Sequence, residues 1–180
     1  MQTVKRLHAA CEHINAPYCI VGGLAVVRNG APRTTQDIDV LIEQADWVRL
    51  CSADSSFVAE GDRAIDPETG VSVDALFPGD EWEMEIPLPP PDEIAEYDEA
   101  LGGRFASLRA ILESKTAVYV KKRREDGEAI AAKDLTDVVA LIEYHGPRVA
   151  RDLGSEMAPA TASELTRIVS EVQRRKRRME

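Results

Sequence analysis

Apolar residues recur every three or four positions in some segments of the chain and form short buried-type runs in others. Val4, Leu7, Cys11 and Ile14, for example, fall on one side of a helix. The pattern predicts helices over residues 2–15, 24–29, 45–51, 108–124, 130–144 and 162–178. It predicts strands over residues 18–21, 37–42, 56–60, 63–66 and 71–77, with a turn over residues 66–70 between the last two.

The predicted strands lie in the first part of the chain, and long helices dominate after Gly102-Gly103. We therefore expect the α/β class, with a small mixed twisted sheet flanked by helices over residues 1–103. A C-terminal helical extension is expected over residues 104–180. The length of 180 residues suits one catalytic domain with such an extension.

Residues 78–101 combine acidic clusters with four closely spaced prolines. The acidic residues include Asp80, Glu81, Glu83 and Glu85, and the prolines stand at positions 87, 89, 90 and 91. Prolines at this density exclude a long helix. We expect a strand or an extended loop at the rim of an active site, and a solvated sheet edge protected by its prolines is the alternative.

Two glycines and two aspartates mark the most informative stretch. Gly22-Gly23 follows the apolar run 18–21, and Asp37 and Asp39 open the strand predicted over residues 37–42. Side chains alternate along a strand, so both aspartates lie on one face, where their charges repel. A divalent cation relieves that repulsion, and Mg²⁺ prefers a few carboxylates together with phosphate oxygens. Backbone N–H groups at a glycine turn suit a phosphate, so these residues together indicate chemistry on a nucleotide.

The arrangement resembles the nucleotidyltransferase superfamily of the DNA polymerase beta type. Within it, the chain is most similar to the minimal, AbiEii-like toxin branch, which has a Gly-Gly turn followed by Arg-x-Thr-x-Asp-x-Asp. Here that motif is Gly22-Gly23 and then Arg33-Thr34-Thr35-Gln36-Asp37-Ile38-Asp39. The resemblance covers about residues 15–145 and implies the nucleotidyltransferase fold, an NTP substrate and two Mg²⁺ ions.

The resemblance also implies the remaining site residues. The third metal-binding carboxylate is expected on a later strand, where Asp74 is the strong candidate, although Asp66 competes with it. A helical lysine and a Lys-Asp-x-x-Asp helix are represented by Lys115 and by Lys133–Asp137, which includes Asp134 and Asp137. Asp37, Asp39, Asp74, Lys115 and Asp134 are the expected catalytic residues, with a weaker expectation for Asp137.

Phosphate contacts are expected from Gly22, Gly23, Arg33 and Lys115. Many superfamily members have Gly-Ser at the turn, where the serine hydroxyl contacts a phosphate. This chain has Gly23 at the corresponding position. The hydroxyl must therefore come from Thr34 or Thr35, or be absent.

Charge is distributed unevenly along the chain. Residues 1–114 hold 8 Lys and Arg against 21 Asp and Glu, a net charge of −13, and residues 115–180 hold 14 against 11, a net charge of +3. The basic runs 121–124 and 174–178 would attract a nucleic acid, whereas basic residues that complement a helix C-terminus are the simpler interpretation of the second run. The acidic part would repel a nucleic acid, and the acidic rim at residues 78–101 favours a cationic small molecule or a basic antitoxin.

Nothing in the sequence predicts export or membrane insertion. No apolar run approaches the roughly 20 residues of a membrane span, and residues 2–15 are amphipathic, unlike a signal peptide. Cys11, Cys19 and Cys51 lack metal-ligand spacing and are expected to be reduced thiols. A cytoplasmic protein with no membrane partner and no zinc is expected.

Three functions fit these residues. The first is an Mg²⁺-dependent nucleotidyltransferase whose acceptor hydroxyl belongs to RNA, especially tRNA, or to a protein, as an AbiEii-like toxin with an antitoxin partner. The second transfers the nucleotidyl group to a small molecule such as an aminoglycoside. The third is a degenerate module that binds a nucleotide or a partner without turnover, and the presence of all three carboxylates counts against it.

Overall fold

The elements in the first part of the chain follow the sequence pattern closely. The computed structural model describes residues 1–52, 57–82 and 86–179. Its first eight elements are α1 (Gln2–His13), β1 (Tyr18–Ile20), α2 (Gly22–Arg28), β2 (Asp37–Ile42), α3 (Gln44–Ser52), β3 (Val58–Glu60), β4 (Arg63–Ile65) and β5 (Ser72–Leu76). Ser56, at the start of the strand predicted over residues 56–60, lies outside the described residues.

The second part of the chain contains several elements that the pattern did not predict. Its elements are β6 (Glu81–Trp82), β7 (Ile86–Pro87), α4 (Pro91–Ile94), β8 (Ala95–Asp98), β9 (Gly103–Ala106), α5 (Leu108–Glu125), α6 (Glu128–His145), α7 (Pro147–Gly154) and α8 (Pro159–Met179). Residues 78–82 and 86–101 thus form short strands and one helical turn, without a long helix in these described ranges, as the prolines require. Glu83 and Glu85 of the acidic cluster lie outside the described residues.

Seven strands form one mixed sheet in the order β3-β4-β5-β2-β1-β9-β8. Strand β2 pairs with β1 in antiparallel and with β5 in parallel orientation, and β1 pairs in parallel with β9. The remaining pairs, β3–β4, β4–β5 and β8–β9, are antiparallel. The expected fold class, a mixed sheet flanked by helices and followed by C-terminal helices, is confirmed.

One face of this sheet carries the hydrophobic core of the sheet unit. Ile38, Val40 and Ile42 alternate along β2 and are buried with α1 and α3 residues such as Leu7 and Trp47. Burying a side chain of this size is worth about 1.5–3 kcal/mol, so the orientation of β2 is strongly determined. The intervening residues of β2 consequently lie on the opposite face.

The chain divides into two compact units that are interleaved in sequence. The sheet unit comprises residues 1–28, 34–80 and 87–107, and the helical unit comprises residues 29–33, 81–86 and 108–180. In the helical unit, α5, α6, α7 and α8 bury apolar side chains that include Ile111, Leu141, Leu165 and Val169. None of the helices in the described ranges is long and apolar enough to cross a membrane.

Strands β8 and β9 and helix α7 were missed because their signals are weak. Strand β9 begins at Gly103, and β8 is an edge strand with exposed Glu96 and Tyr97. Neither therefore shows a clean alternation of apolar and polar residues. Helix α7 has only eight residues and begins at Pro147, a residue that is well tolerated in the first turn of a helix.

A buried carboxylate holds the turn between β4 and β5. The Asp66 side chain is fully buried and accepts a hydrogen bond from the Glu68 amide at 3.0 Å, while Arg6 Nε lies 3.2 Å from Asp66 Oδ1. Burial would raise the pKa of Asp66, but the Glu68 amide, the hydroxyls of Thr3 and Thr69 and the Arg6 charge together lower it. These contacts give Asp66 a structural role in the turn between β4 and β5.

We predict that Asp66→Asn lowers the free energy of unfolding by about 1–3 kcal/mol, because it leaves buried donors without their charged acceptor. The lowered folded-state pKa means that this contribution is full above the ordinary aspartate pKa of about 4 and is lost as the pH falls through the lowered value. Urea titrations at pH 7 and near pH 3 measure both effects. Asp62→Asn, at an exposed position, is the control, and equal losses in the two variants would contradict the assignment.

Candidate active site

Asp37 and Asp39 lie on the face of β2 opposite the core. The strand begins at Asp37, and the burial of Ile38 and Val40 on the core side directs both carboxylates away from it. Asp37 is exposed and Asp39 is partly exposed. The two charges therefore face solvent next to each other, as the sequence predicts.

Asp74 lies on β5, directly beside β2. In the parallel register Asp37 pairs with Ser72, and Asp39 pairs with Asp74. Neighbouring strands are about 4.8 Å apart, and paired residues project to the same face. The expectation that the Asp74 strand adjoins the Asp37–Ile42 strand is confirmed, and three aspartates share one small area of the sheet.

Arg63, on β4, forms a bidentate ion pair with the Asp74 carboxylate. Arg63 is the register partner of Asp74, and its Nε and Nη2 atoms donate to Oδ1 and Oδ2 at 2.7 and 3.1 Å. Ser72 Oγ also donates to Asp74 Oδ1, at 3.0 Å. The hydrogen bonds from Arg63 have the largest effect on the Asp74 carboxyl. Together with the bond from Ser72, they hold its pKa below its usual range. The sequence analysis did not identify Arg63 as a site residue.

The glycine turn touches the second aspartate. Gly22 starts α2 with φ +58°, and a Cβ atom built on it would lie 1.8 Å from Asp39 Oδ2. A side chain is excluded there both by the backbone conformation and by this contact. Val21 N, just before the turn, donates to Asp39 O at 2.9 Å. The turn and Asp39 thus form one rigid corner of the sheet unit.

The threonines before β2 differ in their contacts. Thr35 Oγ1 donates to Asp37 Oδ1 at 2.8 Å, so this hydroxyl orients the first aspartate. The Thr34 side chain is exposed. A role of either hydroxyl at a phosphate stays a prediction.

The donor set fits a hard divalent cation in its chemistry and backbone placement. Carboxylates from adjacent strands supply the oxygen ligands that Mg²⁺ takes, and the absence of a Cβ at Gly22 lets the glycine turn approach the Asp39 carboxylate closely. Among the described residues, no three His, Cys, Asp or Glu side chains are already gathered as metal ligands. The bidentate contact with Arg63 accounts for this, because Arg63 lies on β4 and holds the Asp74 carboxylate toward that strand.

Lys115 and Asp134 belong to the helical unit, where they form a buried charge network. Lys115 Nζ donates to Asp134 Oδ1 at 2.9 Å and lies 3.5 Å from Asp137 Oδ2. Lys122 Nζ donates to the other Asp134 oxygen at 2.9 Å. The Asp134 side chain is only 2% exposed, and burial would raise its pKa, but the two ammonium groups lower it.

Arg33 joins the same network. Its Nη1 atom donates to Asp137 Oδ2 at 2.6 Å, and both side chains are mostly buried. Segment 29–33 belongs to the helical unit, so this arginine is fixed by α6. The predicted roles of Arg33, Lys115, Asp134 and Asp137 at a nucleotide remain predictions.

Solved structures of known proteins provide the comparison for this fold. An antigenic nucleotidyltransferase-like protein from Paracoccidioides brasiliensis aligns with a TM-score of 0.56 and 20% identity, over 79% of this chain and 75% of that one. The crystal structure of ANT(2'')-Ia in complex with adenylyl-2''-tobramycin aligns with a TM-score of 0.53 and 16% identity, over 98% of this chain and 99% of that one.

A solution structure of the antibiotic-resistance factor ANT(2'')-Ia gives a TM-score of 0.51 at 16% identity, over 99% of this chain and 95% of that one. No protein-family model matches the chain, and no curated protein matches it in sequence. At these identities the likeness concerns architecture. The chain has the nucleotidyltransferase fold.

Proposed function

We propose that this protein is an Mg²⁺-dependent nucleotidyltransferase that transfers a nucleotidyl group from an NTP to an acceptor hydroxyl and releases pyrophosphate. The observation that carries the proposal is the placement of Asp37, Asp39 and Asp74 on one sheet face, with Asp39 and Asp74 paired in register. Contact between the Gly22 turn and Asp39 supports it, because the phosphate-binding and metal-binding elements are then adjacent. The nucleotidyltransferase fold of the aligned structures supports the reaction class.

The site residues have different roles in the proposed reaction. Asp37, Asp39 and Asp74 would together hold the cation, and Thr35 keeps the Asp37 carboxylate oriented. Bound Mg²⁺ supplies charge neutralisation at the phosphates and acidifies the acceptor hydroxyl. Asp74 is the carboxylate that accepts the hydroxyl proton on an Oδ atom, while Ser72 fixes its orientation. Phosphoryl transfer depends mainly on positioning and charge stabilisation, so a small site of this kind suffices.

The triphosphate requires donors and positive charge. We assign backbone N–H groups of Gly22 and Gly23 to phosphate oxygens, together with Lys115 and Arg33. Asp134 holds the Lys115 ammonium in place, and Asp137 holds the Arg33 guanidinium. A lysine and an arginine oriented in this way reach a phosphate with little further loss of side-chain entropy.

For the acceptor, the exposed basic end of α8 supports RNA, with tRNA as the first candidate. Arg174, Arg175, Lys176, Arg177 and Arg178 are all exposed there. Such a transferase, or one with a protein acceptor, would be an AbiEii-like toxin and would have an antitoxin partner. The alternative is a cationic small molecule, supported by the acidic residues 1–114 and by the full-length alignment with ANT(2'')-Ia.

Asp37→Asn and Asp39→Asn should each reduce nucleotidyl transfer by about a hundredfold or more, since each removes an oxygen ligand where charge must be neutralised. Both variants should remain folded, because removing one of two like charges relieves repulsion. The assay follows label from α-labelled NTPs into tRNA and, separately, into tobramycin. Asp62→Asn is the matched control, and full transfer in either site variant would contradict the mechanism.

Gly22→Ala tests the corner that joins the turn to Asp39. Gly61 has nearly the same backbone conformation, φ +62°, with nothing within 4 Å of a built Cβ. Gly61→Ala should therefore lower stability by the cost of the left-handed conformation alone, about 1–2 kcal/mol. Gly22→Ala should lower it further and weaken Mn²⁺ binding, measured by calorimetry. Equal stability and equal metal affinity in the two variants would show that Gly22 has no role in the metal site.

Lys115→Ala should weaken binding of a non-hydrolysable NTP by about 1–3 kcal/mol, the usual cost of a lost charge-assisted contact. Lys122→Ala is the matched control, because both lysines donate to Asp134 at 2.9 Å. Calorimetry with each folded variant distinguishes a phosphate ligand from a structural partner of Asp134. An equal loss in both variants, or none in either, would confine nucleotide binding to the sheet unit.

A further inference from the structure

Arg63 lies where it controls whether the third carboxylate, Asp74, is ion-paired or available to a cation. It lies on β4 in direct register with Asp74, and its guanidinium engages both carboxylate oxygens. The charge of Arg63 also acts on Asp37. The guanidinium therefore faces the same group of aspartates to which the proposed function assigns the cation.

A guanidinium and a divalent cation compete for these oxygens. With the Ser72 hydroxyl, the Nε and Nη2 donors of Arg63 occupy three of the roughly four lone pairs of the Asp74 carboxylate. A cation that takes more than the remaining Oδ2 lone pair must therefore break at least one of these bonds. The Ser72 hydroxyl contacts Asp74 Oδ1 independently. When Arg63 moves, Ser72 still holds the carboxylate.

Displacement of Arg63 requires little free energy. Its side chain is 60% exposed, and that of Asp74 is 30% exposed. Ion pairs at such exposed positions are weak, because water solvates both partners when they separate. Within the described residues, the guanidinium donates its hydrogen bonds to Asp74 alone, so no other hydrogen bond has to break when it moves.

We propose that Arg63 is a positioning residue that occupies Asp74 until a divalent cation displaces it. This inference rests on the proposed function, because it takes the three aspartates as the cation site. The Arg63–Asp74 pair neutralises one of the three aspartate charges in the absence of the cation. Displacement leaves an exposed guanidinium beside the site, where it suits an anionic phosphate.

Mn²⁺ titrations of the whole chain by calorimetry test this competition. Arg63→Ala should bind Mn²⁺ about three- to tenfold more tightly than the wild-type protein, since the competitor is gone. Arg63→Lys keeps the charge but loses the bidentate geometry, so it should also bind more tightly. Arg49→Ala removes an equally exposed arginine of the sheet unit, paired with Asp46, and should not change the affinity.

The double variant Arg63→Ala with Asp74→Asn separates competition from a general effect of charge. Competition predicts that Arg63→Ala no longer tightens binding once Asp74 is replaced, because the contested carboxylate is absent. Tightening that persists in the Asp74→Asn background, or unchanged affinity in Arg63→Ala, would overturn the inference and leave the metal site standing. If Asp39→Asn binds Mn²⁺ as the wild-type protein does, the proposed function fails instead.

Discussion

The alternation of side chains along β2 is the constraint on which the candidate site depends. Ile38, Val40 and Ile42 enter the hydrophobic core, and the strand cannot turn over without exposing all three. The core therefore holds Asp37 and Asp39 together on the other face although their charges repel. Apolar burial of several kcal/mol outweighs the weaker repulsion between two solvent-exposed carboxylates. The same pairing brings Asp74 alongside, since β5 is also buried on its core side at Val73.

Local sequence was sufficient for elements whose periodicity is uninterrupted. Strand β2 matches its predicted limits, and α5 and α6 match theirs within a few residues, because each has a long regular pattern. The neighbouring positions of β2 and β5 were expected from the family resemblance, since local pattern does not say which distant strands meet. The structure adds that the two strands are parallel. Strand β9, next to β1 in the sheet, was missed for the same reason: its place is determined by pairing with a strand more than eighty residues earlier.

The contact between Arg63 and Asp74 was in principle accessible from sequence. The turn over residues 66–70 was predicted with strands on both sides, and an antiparallel hairpin fixes the register of its two strands. Counting outward from the turn pairs Ile65 with Ser72 and then Arg63 with Asp74. The network of Lys115, Asp134 and Arg33 was less accessible. It depends on side chains that meet only when α5, α6 and segment 29–33 have packed, and buried ion pairs of this kind follow tertiary structure.

The interleaving of the two units has a consequence for how the chain is made. Segment 29–33 leaves the ribosome early, yet its partners Asp137, Tyr144 and His145 lie on α6: Arg33 bonds Asp137, Gly30 abuts the Tyr144 ring, and His145 Nε2 donates to Asn29 O at 2.7 Å. A nascent chain stopped before α6 holds Arg33 without its carboxylate. The helical unit cannot be completed from the C-terminal residues alone, and a fragment cut at residue 107 would separate Arg33 from it. Genetic division of the protein at that point would thus remove segments 29–33 and 81–86 from the helical unit to which they belong.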